Sequence, residues 1–175
     1  MILIAVGANL PGPTGSPLAQ CEAALQRLAS SGVAILARSP WYESAPVPPS
    51  DQPWYVNGVV SVATSLPPAT LLETLHRIER ALGRTRGAAN AARTIDLDLL
   101  DYDGLIRSGP EPPILPHPRL AGRAFVLRPL ADVAPEWRHP RGSSVAELLA
   151  ALPPDANVRP LPAAKSRPNR FKNPS

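Results

Sequence analysis

The run Arg93-Thr94-Ile95-Asp96-Leu97-Asp98-Leu99-Leu100 restricts the fold more than any other stretch of this chain. Successive side chains of a strand point to opposite faces, so an extended run sets Asp96 and Asp98 on one face and Ile95, Leu97 and Leu99 on the other. The apolar face must be buried, and the other must accommodate two adjacent carboxylates. Like charges that close resist joint ionisation unless a cation stands between them, and paired oxygen ligands beside an arginine suit Mg²⁺ carrying substrate phosphates. A half-buried edge strand with a solvated acidic face produces the same pattern. The choice therefore rests on what the rest of the chain brings to this strand.

Working outward, Ile2 to Val6 has the length and composition of a strand and ends in a turn-rich loop, Gly7 to Gly12. Ser16 can cap a helix with Pro17 in its first turn, and Leu18, Cys21, Leu25 and Leu28 fall on one face. Val33 to Ser39 reads as a strand, and Pro40 to Pro53, with five prolines, as a long connection of the kind that carries function. Val56 to Thr64 is a β-branched strand. Pro67 and Pro68 open a second helix with Leu71, Leu72, Leu75, Ile78 and Leu82 inward and Gly83 at its end. With the acidic strand the order becomes β-α-β-β-α-β, which predicts an α+β, ferredoxin-like sandwich: one antiparallel sheet with both helices on one face, plus a C-terminal extension. In that extension Arg123 to Leu130 fits a helix or a strand, and Ser144 to Leu152 a short helix. Residues 1–152 are expected to form one domain. The 24 prolines argue for long loops, and the basic, proline-rich stretch 153–175 reads as a flexible tail.

Several function classes lose ground. No Walker A loop, G-x-S-x-G, C-x-x-C or G-x-G-x-x-G is present. The single cysteine cannot form an internal disulfide, and nowhere do eighteen apolar residues run together, so a soluble, cytoplasmic protein is expected. The net charge of +4 invites an anionic partner. Arg84, Arg86 and Arg93 precede the acidic pair and His117, Arg119 and Arg123 follow it. Two carboxylates for metal and several arginines for bidentate phosphate contact are the parts of phosphoryl-type transfer, which depends on positioning and on neutralising charge. An acceptor slot for a flat heterocycle can be drawn from Trp41, Tyr42, Trp54, Tyr55, Phe125 and the amide of Asn57; core packing explains the same rings. On the second helix His76 and Glu79 stand three residues apart, facing the same end as Arg84.

The residues so assembled resemble the 6-hydroxymethyl-7,8-dihydropterin pyrophosphokinases of the folate pathway. The likeness runs from Ile4-Ala5-Val6-Gly7-Ala8-Asn9-Leu10 through Tyr42 to Pro46, Asp51 to Asn57, and Ile78-Glu79-Arg80 with Gly83-Arg84. It continues with the run from Arg93, Leu115 to Arg119, and Arg123 to Leu127, covering about residues 2–137. The resemblance implies transfer of the terminal diphosphate of ATP to the pterin hydroxymethyl oxygen, with two Mg²⁺ held by Asp96 and Asp98. It implies that Arg84 and Arg93 stabilise the transferred group and that His76, Glu79, Arg86, Leu99, His117, Arg119 and Arg123 serve the nucleotide. For the acceptor it implies Asn57 at the pterin edge, Tyr55 and Phe125 on its ring, and the stretch Ser44, Ala45, Pro46 and Val47 reading its amide. Small-molecule substrates, a monomer, and no nucleic-acid or membrane partner follow as expectations. The chain departs from the family before the acidic strand, where R-W-G-P-R is usual and Asn90-Ala91-Ala92-Arg93 stands here in a loop about one residue short. Ser44 replaces the usual Thr, and Ala45 a common proline. A ferredoxin-like RNA-binding module with a basic tail is the rival reading, and a family member drifted in activity a third.

Overall fold

The computed structural model describes residues 1–85, 87–154 and 157–162. Its elements are β1 (Ile2–Ala8), α1 (Pro17–Ser30), β2 (Ala34–Arg38), β3 (Tyr42–Ser44), β4 (Tyr55–Ala63), α2 (Pro68–Ala81), β5 (Asp96–Tyr102), a 3₁₀ turn (Leu120–Gly122), α3 (Ala124–Val133), α4 (Val145–Ala150) and β6 (Val158–Pro160). The sheet runs β5-β1-β4-β3-β6, with β2 also paired to β4, and the strand pairs are antiparallel. The expected β-α-β-β-α-β core is present. Ser16 caps α1 by accepting from the Ala19 N–H, with Pro17 at the first helical position. Past α2, Gly83 adopts φ +85°, the left-handed conformation that a glycine accepts at little cost.

Alternation along the strands divides the interior into two cores. Ile2, Ile4 and Val6 of β1, Val60 and Val62 of β4, and Leu97 and Leu99 of β5 pack with Cys21, Leu25 and Leu28 of α1 and Leu71, Leu75 and Ile78 of α2. Leu3, Val59 and Leu100 point the other way and meet Val126, Leu127 and Leu130 of α3, with Val145 of α4. Thus α1 and α2 cover one face, and the C-terminal extension covers part of the other. The part it leaves open, toward the ends of β1, β4 and β5, carries the site. Among the described residues no helix is long and apolar enough to cross a membrane.

The structure adds two strands to the expected order and settles the form of a third element. Tyr42–Ser44, inside the proline-rich connection, forms β3 because β4 is nine residues long and offers Tyr55 to Asn57 as an edge beyond the part taken by β2. Arg123 to Leu130 resolves as helix, with Pro129 inside it. Within the stretch read as a loose tail, Val158–Pro160 pairs with β3, Ala45 N–H donates to the Asn157 carbonyl at 3.0 Å, and Leu161 N–H to the Trp41 carbonyl at 2.8 Å.

Candidate active site

The three central strands meet the open face in one transverse row. Asp96 on β5 is opposite Gly7 on β1, and Gly7 is opposite Asn57 on β4; one step along, Asp98 is opposite Ala5. The row therefore reads carboxylate, bare backbone, amide. The two aspartates share a face, as their spacing predicts, and Ile95, Leu97 and Leu99 are buried on the other.

One pocket gathers both halves of the expected site. Asp96, Asp98, Arg93 and Arg123 line it together with Ser44, Ala45, Pro46, Val47, Tyr55, Asn57 and Phe125. All seven residues assigned to the acceptor thus stand around the same space as the acidic pair. Asn57 is buried, and its Nδ2 donates to Ser44 Oγ at 2.6 Å. That bond fixes the amide, leaving Oδ1 as an acceptor beside Gly7.

The cations divide unequally between the carboxylates. Arg84 Nη1 donates to Asp96 Oδ1 at 2.6 Å, and Arg93 Nη1 to Asp96 Oδ2 at 2.6 Å, so both oxygens of Asp96 are taken. Arg84 also pairs with Glu79, whose Oε1 accepts from the Leu97 N–H at 2.7 Å. Burial opposes charge on Arg84, but Asp96 and Glu79 outweigh it and hold the guanidinium pKa above its usual value. Asp98 is held more loosely, by Arg123 Nη1 at 3.4 Å and His117 Nε2 at 3.9 Å. Burial first, and then the neighbouring Asp96, push the Asp98 carboxyl up, against the pull of His117 and Arg123. Burial also pushes His117 down, against the pull of Asp98. Glu79 rises to about 7, because burial exceeds the help of the Leu97 N–H and Arg84.

The remaining expected residues lie elsewhere. His76 is exposed on α2 and does not line the pocket. Leu99 is in the core, 3% exposed, and does not line the pocket. Arg119 is exposed and lines a neighbouring groove. Arg86 lies outside the described residues. Of the five aromatics proposed for the slot, Tyr55 and Phe125 line it. Trp41 is in the core with its Nε1 donating to Glu22 at 2.7 Å, Tyr42 donates its hydroxyl to Asp132 of α3, and Trp54 faces the groove.

Two residues that the sequence reading quoted but left without a role tie the site together. Asn9, 1% exposed, accepts from the Arg93 N–H at 2.8 Å and donates to Gln52 Oε1 and to the Pro53 carbonyl. Its own N–H donates to the Arg93 carbonyl at 3.0 Å. Gln52 Nε2 donates in turn to the Asn90 carbonyl at 2.8 Å. One buried amide thereby joins Arg93 to the loop that carries Gln52 and Pro53, and Gln52 extends the connection to the segment before the acidic strand. Their available signal was a side-chain amide in each quoted motif, with no charge to draw attention.

The chain matches, over residues 3–135, a family model described as 7,8-dihydro-6-hydroxymethylpterin-pyrophosphokinase. A Pseudomonas aeruginosa protein named 2-amino-4-hydroxy-6-hydroxymethyldihydropteridine pyrophosphokinase is 42% identical over 166 residues, which cover 93% of this chain and 98% of that one. The "Folic acid synthesis protein fol1" of Pneumocystis carinii is 36% identical over 161 residues, 91% of this chain but 21% of that longer protein. Among solved structures, wild-type Plasmodium falciparum HPPK-DHPS superposes with a TM-score of 0.63 at 13% identity, covering 85% of this chain and 44% of that one. This chain thus spans less than half of that solved chain, and the likeness there is one of fold.

Proposed function

We propose the chemistry of this site from one premise: the chain belongs to the 7,8-dihydro-6-hydroxymethylpterin-pyrophosphokinase family. Its reaction is transfer of a diphosphate from ATP to the hydroxymethyl group of 6-hydroxymethyl-7,8-dihydropterin, in folate biosynthesis. The hydroxymethyl oxygen forms a bond to the β-phosphorus, the bond between the α-phosphate and the β-phosphorus breaks, AMP leaves, and the hydroxyl proton is released.

In this reading Asn57, pinned by Ser44, hydrogen-bonds one edge of the pterin, Tyr55 and Phe125 flank its ring, and the Ser44 to Val47 backbone completes the slot. The hydroxymethyl end then points toward Asp98 and Arg123. Arg84 and Arg93 stand where charge spreads over the transferred group, and preorganised cations there lower the barrier without reorganising. His117 and Arg123 contact nucleotide phosphates.

The donor set fits Mg²⁺. Asp96 and Asp98 are hard oxygen donors side by side, and the raised Asp98 carboxyl marks a pair short of positive charge. Among the described residues no group of three or more His, Cys, Asp or Glu side chains forms a metal cage, as expected for an ion that keeps waters and is shared with substrate phosphates. Bound there, Mg²⁺ would neutralise phosphate charge and align the two reacting oxygens. We place the enzyme in the cytoplasm, working as a monomer on small molecules.

The observation that carries this reading is the shared strand face on which Asp96 and Asp98 stand opposite Gly7 and Ala5 and Gly7 stands opposite Asn57, so that bare backbone separates the acidic pair from a pterin-competent amide. The test is Asp98→Asn, which keeps the shape and removes the charge. AMP formation that depends on both Mg²⁺ and the pterin is expected in the wild type and should fall roughly a hundredfold or more in the variant, with an unchanged circular dichroism spectrum. Near-normal turnover in Asp98→Asn would overturn the metal assignment.

A further inference from the structure

Beside the acceptor pocket lies a groove of about 710 Å³, a size typical of ligand sites. Trp54, Leu152, Asn157, Val158 and Arg119 wall it, and it shares Val47, Asn90, Arg123 and Phe125 with the acceptor pocket. The two spaces therefore adjoin along the sides of Arg123 and Phe125. Three observations point to an occupant. Trp54 is 42% exposed yet held in place: the Arg159 guanidinium lies 5.0 Å from its ring centroid, and Arg159 Nε donates to Glu43 at 2.6 Å. Val47 at the shared rim is 70% exposed. The Arg119 guanidinium has no hydrogen bond or ion pair with any described residue, and it stands close enough to disfavour the charge on Arg123. An aromatic wall leading to an unpaired cation complements a flat apolar body that ends in a carboxylate.

Continuity with the acceptor pocket says how such a body arrives. Arg123 contacts Asp98 at 3.4 Å and lines both spaces. In the proposed reaction the pterin's opposite edge is held by Asn57, so its 6-substituent begins beside Arg123, with the groove on the far side of that side chain. We propose that the groove receives the tail of a pterin bearing, at its 6-position, an aryl group that ends in carboxylates. This inference rests on the acceptor assignment above. Folates are compounds of this class. They bind with the ring between Tyr55 and Phe125 and the tail running past Trp54 to Arg119, and they exclude the hydroxymethyl pterin. The enzyme is thereby restrained by the class of product to which its own reaction leads.

The test is calorimetry on the full chain without nucleotide, using dihydrofolate, 6-hydroxymethyl-7,8-dihydropterin and 4-aminobenzoylglutamate as separate probes. Dihydrofolate should bind at least about tenfold more tightly than either fragment and inhibit competitively with the pterin, because two linked contacts reinforce each other. Arg119→Gln and Asn157→Asp, which respectively remove a cation from the groove and add an anion to it, should each weaken dihydrofolate at least about threefold. In Asn157→Asp the affinity for the hydroxymethyl pterin should stay within about twofold, since Asn157 holds Ala45 through its backbone carbonyl. Dihydrofolate binding no tighter than the hydroxymethyl pterin, or equally tight in both variants, would overturn the proposal while leaving the reaction intact. Failure of the wild type to turn over the hydroxymethyl pterin with ATP and Mg²⁺ would instead overturn the acceptor assignment, and this inference with it.

Discussion

Gly7→Ala offers a direct test of the transverse row. Gly7 faces Asp96 on one side and Asn57 on the other, and its glycine is required for space, since a Cβ there would stand 3.0 Å from Asn57 Oδ1. That is a few tenths of an ångström too close, and Asn57 has little freedom to yield. It is 6% exposed, and its Nδ2 bond to Ser44 Oγ is 2.6 Å. Overpacking of this kind costs about 1–3 kcal/mol, and a weakened buried hydrogen bond about 1 kcal/mol. Lower entropy in the unfolded alanine chain offsets about 0.4–1 kcal/mol of this. A net loss of about 1–3.5 kcal/mol corresponds to a fall in Tm of roughly 2–14 °C for a chain of this size. The functional effect should be selective, because the displaced group belongs to the acceptor side. Losing one well-placed polar contact, worth about 1.4 kcal/mol, raises the pterin KM roughly tenfold, while the ATP KM stays within about twofold. Initial rates of AMP release, measured across both substrate concentrations, separate the outcomes. An unchanged pterin KM in a folded variant would refute the steric argument, and an equal rise in both KM values would mean general distortion of the sheet.

Two further predictions follow from the neighbouring side chains. Glu79 titrates at about 7 in the fold against an ordinary 4.5, so between those values the folded state holds more protons than the unfolded one. The contribution of this group to stability is full below about pH 4.5 and is lost as the pH rises through 7. Glu79→Gln, which stays neutral, should therefore gain in Tm relative to the wild type across that window, and a pH-independent difference would contradict the shift. The second concerns the segment from Gly87 to Ala92, whose small side chains are exposed or half-buried and which meets the acceptor loop through the Gln52–Asn90 bond. Grafting Arg-Trp-Gly-Pro, the run usual in the family at this place, into it should raise kcat, because a further arginine and an aromatic ring beside the pocket add preorganised charge and cover; no gain would mean that the short segment serves the site without them.

Much of the fold was legible because its main elements are long enough to show their period. The acidic strand and the two crossover helices each carry an apolar face that is buried as the spacing predicts, and the first strand, a continuous apolar run, is buried on both faces. The elements that sequence could not supply are short or defined by a partner. Tyr42–Ser44 and Val158–Pro160 have three residues each, too few for any alternation, and each is a strand only because the other chain segment beside it presents free backbone groups. The helix Ala124–Val133 was left open for a different reason. Pro129 lies inside it and withholds a hydrogen bond, so Val126, Leu127 and Leu130 must supply the packing that keeps it helical.

The site divides along the same line. The identity of its charged residues was readable from their types and order, but their pairing was not, because pairing depends on where distant segments end. As written in the sequence, Asp96 and Asp98 are equivalent. In the fold Asp96 spends both oxygens on Arg84 and Arg93, whereas Asp98 faces Arg123 and His117 at 3.4 and 3.9 Å. Asp96 is thus the carboxylate that orders Arg84 and Arg93, and Asp98 is the one with coordination capacity to spare. The aromatics divide similarly. Trp41 is turned into the core, where its ring occupies the space beside Gly58 that a Cβ would fill, 2.7 Å from that position. Tyr55 remains on the pocket side, on the same strand that holds Asn57. A ring's type makes it a candidate for a planar ligand, but only its place in the fold, just ahead of β3 for Trp41 and on β4 for Tyr55, decides whether it faces the pocket or the core.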